Sequence, residues 1–133
     1  MVTNLKEKLK LLHADEYINS IFIPSLEFDL NCFDFNQNDN LPPGCFPILI
    51  AKNNFTIMVF SKESIKNKQF IQEANNLIEH SNSSLFLLPV LIEDLKEDDI
   101  KNTFPLLNKN MIIKTNKVAE ICGVIIDYYK NNP

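Results

Sequence analysis

Two almost uninterrupted apolar runs constrain the fold of this chain more than any other feature of its sequence. The first is Phe-Thr-Ile-Met-Val-Phe at residues 55–60, and the second is Leu-Phe-Leu-Leu-Pro-Val-Leu-Ile at residues 85–92. A strand that is covered on both faces needs apolar side chains in both directions, whereas a half-exposed strand alternates apolar and polar residues. The two runs therefore predict central strands of a sheet that has helices on both faces.

An amphipathic segment at residues 64–80 separates these runs. Its apolar side chains recur at helical spacing along one stripe, formed by Phe70, Ala74, Leu77 and Ile78. Residues 117–130 repeat the pattern, so both segments are predicted helices. Less regular stretches at residues 15–27 and 45–53 are predicted as the remaining helices.

Three further strands complete the predicted sheet, at residues 9–12, 30–35 and 111–113. Strands that alternate with helices are typical of βαβ units, whose crossovers are right-handed in nearly all cases. We therefore expect an α/β domain with a five-stranded, mostly parallel, flavodoxin-like sheet. In such sheets the functional site lies at the carboxyl ends of the strands. Those ends fall at residues 13–15, 36–44, 61–63 and 93–94.

Length and composition predict a single domain over residues 1–133. The alternative is that residues 1–8 are disordered or lie outside the domain. The formal net charge is −4 and the basic residues are scattered, so nucleic acid is a poor candidate partner. The apolar runs are far shorter than the roughly 20 residues that cross a bilayer, and the N-terminus lacks the order of a signal peptide. We expect a cytoplasmic protein without membrane insertion.

The cysteines and histidines predict no metal site. Three cysteines without Cys-x-x-Cys spacing and two histidines do not form a zinc pattern. Cys32 and Cys122 lie within apolar patterns, so we interpret them as small buried thiols. His13 has no serine or cysteine nucleophile at a recognisable elbow, which argues against a hydrolase triad.

The sequence Asp39-Asn40-Leu41-Pro42-Pro43-Gly44 resembles the acidic BB loop of Toll/interleukin-1 receptor (TIR) domains, which contains Pro and Gly. Residues 60–73 resemble the TIR segment in which a strand ends in Ser and a helix carries a Glu twelve residues later, here Ser61 and Glu73. Residues 88–92 resemble the fourth strand of the family. The resemblance extends over residues 9–130, although Gln69 replaces the Trp that normally lies four residues before the Glu.

The resemblance implies a signalling domain, of a family that serves innate immunity among other pathways, which self-associates with other TIR domains. The loop from Asp39 to Gly44 would form the contact. Some members cleave NAD, which would be a substrate, with no separate cofactor. In these enzymes the helix Glu, here Glu73, stabilises the oxocarbenium-like transition state as nicotinamide leaves. Asp15, Phe35 and Ser61 would bind the substrate, although they equally fit an N-cap, a core aromatic and a turn residue.

Three functional interpretations stay open at this point. Glu73 favours an NAD-cleaving signalling domain, whereas Gln69 and the short helix at residues 45–53 favour a TIR adaptor without chemistry. A nucleoside deoxyribosyltransferase-like enzyme shares the sheet topology and the helix glutamate. For the loop, we expect Pro42 and Pro43 to present Leu41 to a neighbouring copy. Glu73 is expected at the rim of a cleft formed by the ends of the first three strands.

Overall fold

A computed structural model describes residues 4–22, 34–35, 39–41, 47–52, 55–79, 86–105 and 112–131. The elements within this part of the chain are, in order, α1 (Leu5–Leu11), β1 (Ile18–Phe22), β2 (Ile48–Ala51), β3 (Phe55–Phe60), α2 (Lys68–Glu79), β4 (Phe86–Leu91), α3 (Glu97–Lys101), β5 (Ile113–Lys114) and α4 (Val118–Asn131). Short 3-10 turns precede β1 at Asp15–Tyr17 and α2 at Ser64–Lys66.

The described strands form one five-stranded mixed sheet in the order β1-β2-β3-β4-β5. β3 pairs with β4 and β4 pairs with β5 in parallel, whereas β1, β2 and β3 form an antiparallel meander. The prediction of an α/β fold with the two apolar runs at the centre is confirmed. The expectation of a mostly parallel sheet is not met, because only two of the four pairings are parallel, and the flavodoxin-like arrangement is not confirmed.

Alternate side chains of the central strands belong to two separate apolar cores, one on each face of the sheet. On the face that we call the first face, Phe55, Ile57 and Val59 pack with α1 and α4. On the opposite, second face, Met58 and Phe60 pack with α2 and α3. Since successive strand side chains point to opposite faces, β3 is buried along its whole length and needs a layer of helices on both sides. Helices on both faces were predicted, and the structure has them.

Two predictions in the first quarter of the chain are wrong. Residues 9–12, predicted as a strand, close helix α1, which begins where the Asn4 side chain accepts a hydrogen bond from the Glu7 N–H (3.0 Å). Leu5 and Leu9, one helical turn apart, are the buried residues of α1. Residues 15–27, predicted as a helix, begin instead with a 3-10 turn and strand β1.

The predicted helix at residues 45–53 is also wrong, because the described part of this range contains β2. Ile48-Leu49-Ile50-Ala51 is a short apolar run, for which periodicity does not distinguish a strand from a helix. Pro47 precedes the run, at a position that suits the start of a strand. The predicted strand at residues 30–35 lies mostly outside the described residues, and the described Asp34 and Phe35 are not in a strand.

The predictions for the second half of the chain agree closely with the structure. The predicted helix at residues 64–80 is the Ser64–Lys66 turn followed by α2, which begins where the Asn67 side chain accepts the Phe70 N–H (2.8 Å). The predicted helix at residues 117–130 is α4, and the last predicted strand overlaps β5. Strong periodicity and long apolar runs made these elements readable from sequence.

Candidate functional site

The carboxyl ends of β3, β4 and β5 meet at one edge of the sheet, because these strands are parallel. We call this the carboxyl edge. Hydrogen bonds join the segments that follow the strands. The Lys62 N–H donates to Glu93 Oε2 (3.0 Å), and the Glu93 N–H donates to Asn116 Oδ1 (3.3 Å). The Leu41 N–H donates to the Asn116 carbonyl oxygen (2.7 Å), which adds residues 39–41 to the same edge.

Asp39 fastens residues 39–41 to the N-terminus of α4. Its carbonyl oxygen accepts the Val118 N–H (2.9 Å), and its carboxylate Oδ2 accepts the Ala119 N–H (3.2 Å) from 80 positions further along the chain. Oδ1 lies 3.4 Å from Lys8 Nζ on α1. A carboxylate at this position satisfies a helix amide and interacts favourably with the helix dipole. One side chain therefore ties α1, residues 39–41 and α4 together.

Leu41 contradicts our expectation of an apolar side chain presented at a loop tip. It is only 4% exposed and belongs to the apolar core on the first face. The prediction that it is displayed to a neighbour is therefore wrong, because its side chain is used inside the domain. Asn40 beside it is exposed. Pro42, Pro43 and Gly44 lie outside the described residues.

Ser61 is buried at the end of β3, where it forms a reciprocal pair with Ser64. The Ser61 N–H donates to Ser64 Oγ (2.7 Å), and the Ser64 N–H donates to Ser61 Oγ (3.0 Å). The Ser64 hydroxyl also donates to the Ser61 carbonyl oxygen (3.1 Å). These bonds close the turn that leads into α2, so the Ser61 hydroxyl is engaged in holding the backbone of the turn.

The other predicted substrate-binding residues lie apart from each other. Phe35 is fully buried in the first-face core. Asp15 is exposed and, with Lys6 and Ile18 among others, lines a cavity of about 370 Å³ beside β1. β1 and β5 are the two outer strands in the strand order, so this cavity and the end of β5 lie at opposite sides of the sheet.

Glu73 is partly buried on α2, the helix that packs on the second face. It comes five residues after the first residue of α2, a distance of about 8 Å along the helix axis. Phe35 belongs to the opposite face, and Asp15 lies beside β1. The structure therefore does not gather Glu73, Asp15, Phe35 and Ser61 into one cleft.

Two consecutive residues after β4 have left-handed backbone conformations, Glu93 with φ 59° and Asp94 with φ 58°. For a residue other than glycine this conformation costs about 1 kcal/mol. The Glu93 side chain and N–H are held by their bonds to Lys62 and Asn116. The carboxyl edge thus maintains a strained turn, a feature that is concentrated at functional sites.

The strained turn borders a crevice of about 510 Å³ between the carboxyl ends of β4 and β5. Its polar lining comes from Asp94, Lys96, Lys114, Thr115 and Asn116. Sequence reasoning placed residues 93–94 at a strand end but missed the contribution of the β5 end. The sequence signal for that contribution is the strand predicted at residues 111–113, which overlaps the two-residue strand β5 by one residue.

Cys122 is buried in the first-face core, as expected for a small apolar thiol. Burial raises the pKa of its thiol to about 12, with a further rise from the nearby Asp39 carboxylate and a partial offset from Lys8. A thiol of this kind is protonated and unreactive at neutral pH. Cys32 and Cys45 lie outside the described residues.

Comparison of the chain with protein-family models, curated proteins and solved structures finds no match. Across the part of the chain that the structure describes, no three His, Cys, Asp or Glu side chains are grouped so that they would hold a metal ion. Over the same residues, no helix is both long and apolar enough to cross a membrane.

The role of Asp39 yields a stability prediction. Asp39→Ala removes the helix cap and the partner of Lys8, so we expect the free energy of unfolding to fall by about 1–2 kcal/mol. Asp39→Asn retains an acceptor oxygen and should lose less. Asp127, exposed on the same helix, supplies the control, and Asp127→Ala should change stability by less than about 0.5 kcal/mol. Urea denaturation measures all three, and a fully stable Asp39→Ala variant would show that the cap is unimportant.

The strained turn yields a second prediction. At Asp94, which is exposed, glycine should give a more stable protein than alanine by about 1 kcal/mol, because only glycine adopts a positive φ without steric cost. At Asp98, exposed on helix α3, the order should reverse by a similar amount. The four variants are compared by thermal unfolding. Alanine equal to glycine at position 94 would argue against a left-handed conformation there.

Proposed function

We propose that this chain is a TIR-like cytoplasmic interaction domain that signals by self-association. Three features of the sequence support it: the acidic Pro-Pro-Gly segment at residues 39–44, the Ser61 to Glu73 spacing, and the apolar fourth strand. The parallel half of the sheet, from β3 to α4, carries the last two of these features. In this proposal it corresponds to the TIR-like part of the domain.

The anchoring of residues 39–41 is the observation that carries the proposal. A loop that docks on another copy binds more tightly when little of it must be ordered on binding. Asp39 is bonded to α4 at two points, and Leu41 is bonded to Asn116 and buried. Residues 39–41 are therefore held in place at the carboxyl edge. The two prolines that follow have φ restricted by their rings, which reduces the entropy lost on docking further.

Self-association is tested at Pro43, because Leu41→Asp would disturb the core. We expect Pro43→His to weaken self-association at least tenfold, equivalent to about 1.4 kcal/mol, with a change in melting temperature no larger than that caused by Pro105→His. Pro105, which is exposed after α3, provides the matched control Pro105→His, whose association should equal that of the parent. Sedimentation velocity over a concentration series measures both. A parent that is monomeric throughout, or a Pro43→His variant that associates like the parent, would reject the proposal.

NAD cleavage dependent on Glu73 is the second candidate function, and two features of Glu73 itself support it, although the predicted substrate-binding residues do not lie beside it. The Ser64–Lys66 turn lies between β3 and α2, so α2 begins near the carboxyl edge, and Glu73 comes about one and a half turns into the helix. Partial burial lowers the local dielectric constant and strengthens the field of a carboxylate. Such a charge stabilises the cation that develops on the ribose as nicotinamide departs.

Incubation of the concentrated protein with NAD tests this activity through release of nicotinamide. Glu73→Gln keeps the size of the side chain and removes its charge, so we expect turnover to fall on the order of a hundredfold. Glu79, exposed on the same helix, gives the control Glu79→Gln, which should retain full activity. Equal turnover by Glu73→Gln would contradict the role of Glu73. A parent that releases no nicotinamide would favour the adaptor, and release of free base from a deoxynucleoside would favour the transferase-like alternative.

A further inference from the structure

The crevice between the carboxyl ends of β4 and β5 has a lining with a net positive charge. Lys96 and Lys114 contribute two positive charges and Asp94 one negative charge, in a protein whose net charge is −4. Both lysines are exposed, so their ammonium groups are hydrated and available to a ligand. Parallel strands also direct their carboxyl ends toward the side of an α/β sheet where ligands bind.

The two uncharged polar side chains of the lining are oriented as hydrogen-bond donors. The Asn116 side-chain oxygen accepts the Glu93 N–H (3.3 Å), so its amide NH₂ group remains to donate. The Thr115 hydroxyl oxygen accepts the Lys117 N–H (3.1 Å), so its O–H also remains to donate. With the two ammonium groups, four side chains of the crevice offer donors. Thr115 and Asn116 also keep one acceptor lone pair each, whereas Asp94 supplies the charged acceptor among the lining residues.

This distribution of donors identifies the kind of ligand that fits. A phosphate group presents several acceptor oxygens and negative charge, which match two lysines, a hydroxyl and an amide. Asp94 repels an isolated anion but accepts hydrogen bonds from hydroxyl groups. A ligand that carries a phosphate at one end and hydroxyls at the other satisfies both parts of the lining.

We infer that the crevice between β4 and β5 binds a small phosphorylated polyhydroxy compound, with its phosphate on Lys96, Lys114, Thr115 and Asn116 and its hydroxyl groups on Asp94. The strained backbone of Asp94 is consistent with this role, since such conformations are concentrated at functional sites and this one borders the crevice. The site contains neither Glu73 nor any of residues 39–44.

Nuclear magnetic resonance titration at low ionic strength tests the site with inorganic phosphate, ribose and ribose 5-phosphate as probes. We expect ribose 5-phosphate to bind in the millimolar range or tighter, to bind more tightly than inorganic phosphate, and to shift the amide signals of Lys114, Thr115 and Asn116. Ribose alone should not bind. Absence of binding by ribose 5-phosphate, or shifts located elsewhere, would overturn the proposal.

Charge-matched double variants separate a site from general attraction of anions. Lys96→Gln with Lys114→Gln should lower the affinity for ribose 5-phosphate at least tenfold. Lys101→Gln with Lys130→Gln, at exposed positions on α3 and α4, changes the net charge equally and should lower it less than twofold. Equal losses in the two double variants would overturn the proposal. Thermal unfolding confirms that each variant is folded.

Asp94→Asn tests the hydroxyl end of the site. Its expected effect on the affinity for inorganic phosphate is opposite in sign to that of the lysine variants. Removal of the negative charge should tighten the binding of inorganic phosphate and reduce the preference for ribose 5-phosphate over it. Weaker binding of inorganic phosphate, or an unchanged preference, would show that Asp94 does not contact the ligand.

Discussion

The burial of β3 on both faces is the constraint on which the rest of this domain depends. Every residue of the strand is buried, so the chain must supply apolar cover on two sides. α1 and α4 cover one side, and α2 and α3 cover the other. The parallel neighbour β4 is placed by the crossover through α2. Because β3, β4 and β5 are parallel, their carboxyl ends meet at one edge of the sheet. The polar segments that follow these strands therefore contact each other at the carboxyl edge.

The sequence made the second half of the fold predictable, because its signals are long. Continuous apolar runs identified β3 and β4, and regular stripes identified α2 and α4. The first half was mispredicted because residues 9–12 (Leu-Lys-Leu-Leu) and the apolar run at residues 48–51 are short segments, for which local periodicity fits either a helix or a strand. The antiparallel pairing of β2 with both neighbours has no comparable local signal. This pairing depends on tertiary contacts, in which Leu49 of β2 lies opposite Ile57 of β3 and both side chains are buried.

The candidate site was predictable only where it followed from strand ends. Residues 61–63 and 93–94 were expected at the edge of the sheet, and the bond from the Lys62 N–H to Glu93 brings them together. Asp39 was identified as part of an acidic loop, yet its partners on α1 and α4 are remote in sequence and leave no local pattern. Leu41 was assigned to the surface because its polar surroundings suggested an exposed loop. Leu41 is buried in the core instead, so the proposed contact would be made by the residues beside it.

Asn116 links the proposed ligand crevice to the proposed contact segment. Its side-chain oxygen accepts the Glu93 N–H at the crevice, and its carbonyl oxygen accepts the Leu41 N–H. A ligand that binds only the conformation with both bonds intact stabilises that conformation by mass action. If self-association favours the same conformation, ligand binding strengthens self-association, and self-association strengthens ligand binding by the same factor. Each bond contributes a net free energy of about 1 kcal/mol. The two bonds together therefore limit the mutual change in affinity to roughly thirtyfold. With both proposals taken together, ligand occupancy would change the self-association constant by at most this factor, which amounts to tuning and not to an on–off switch.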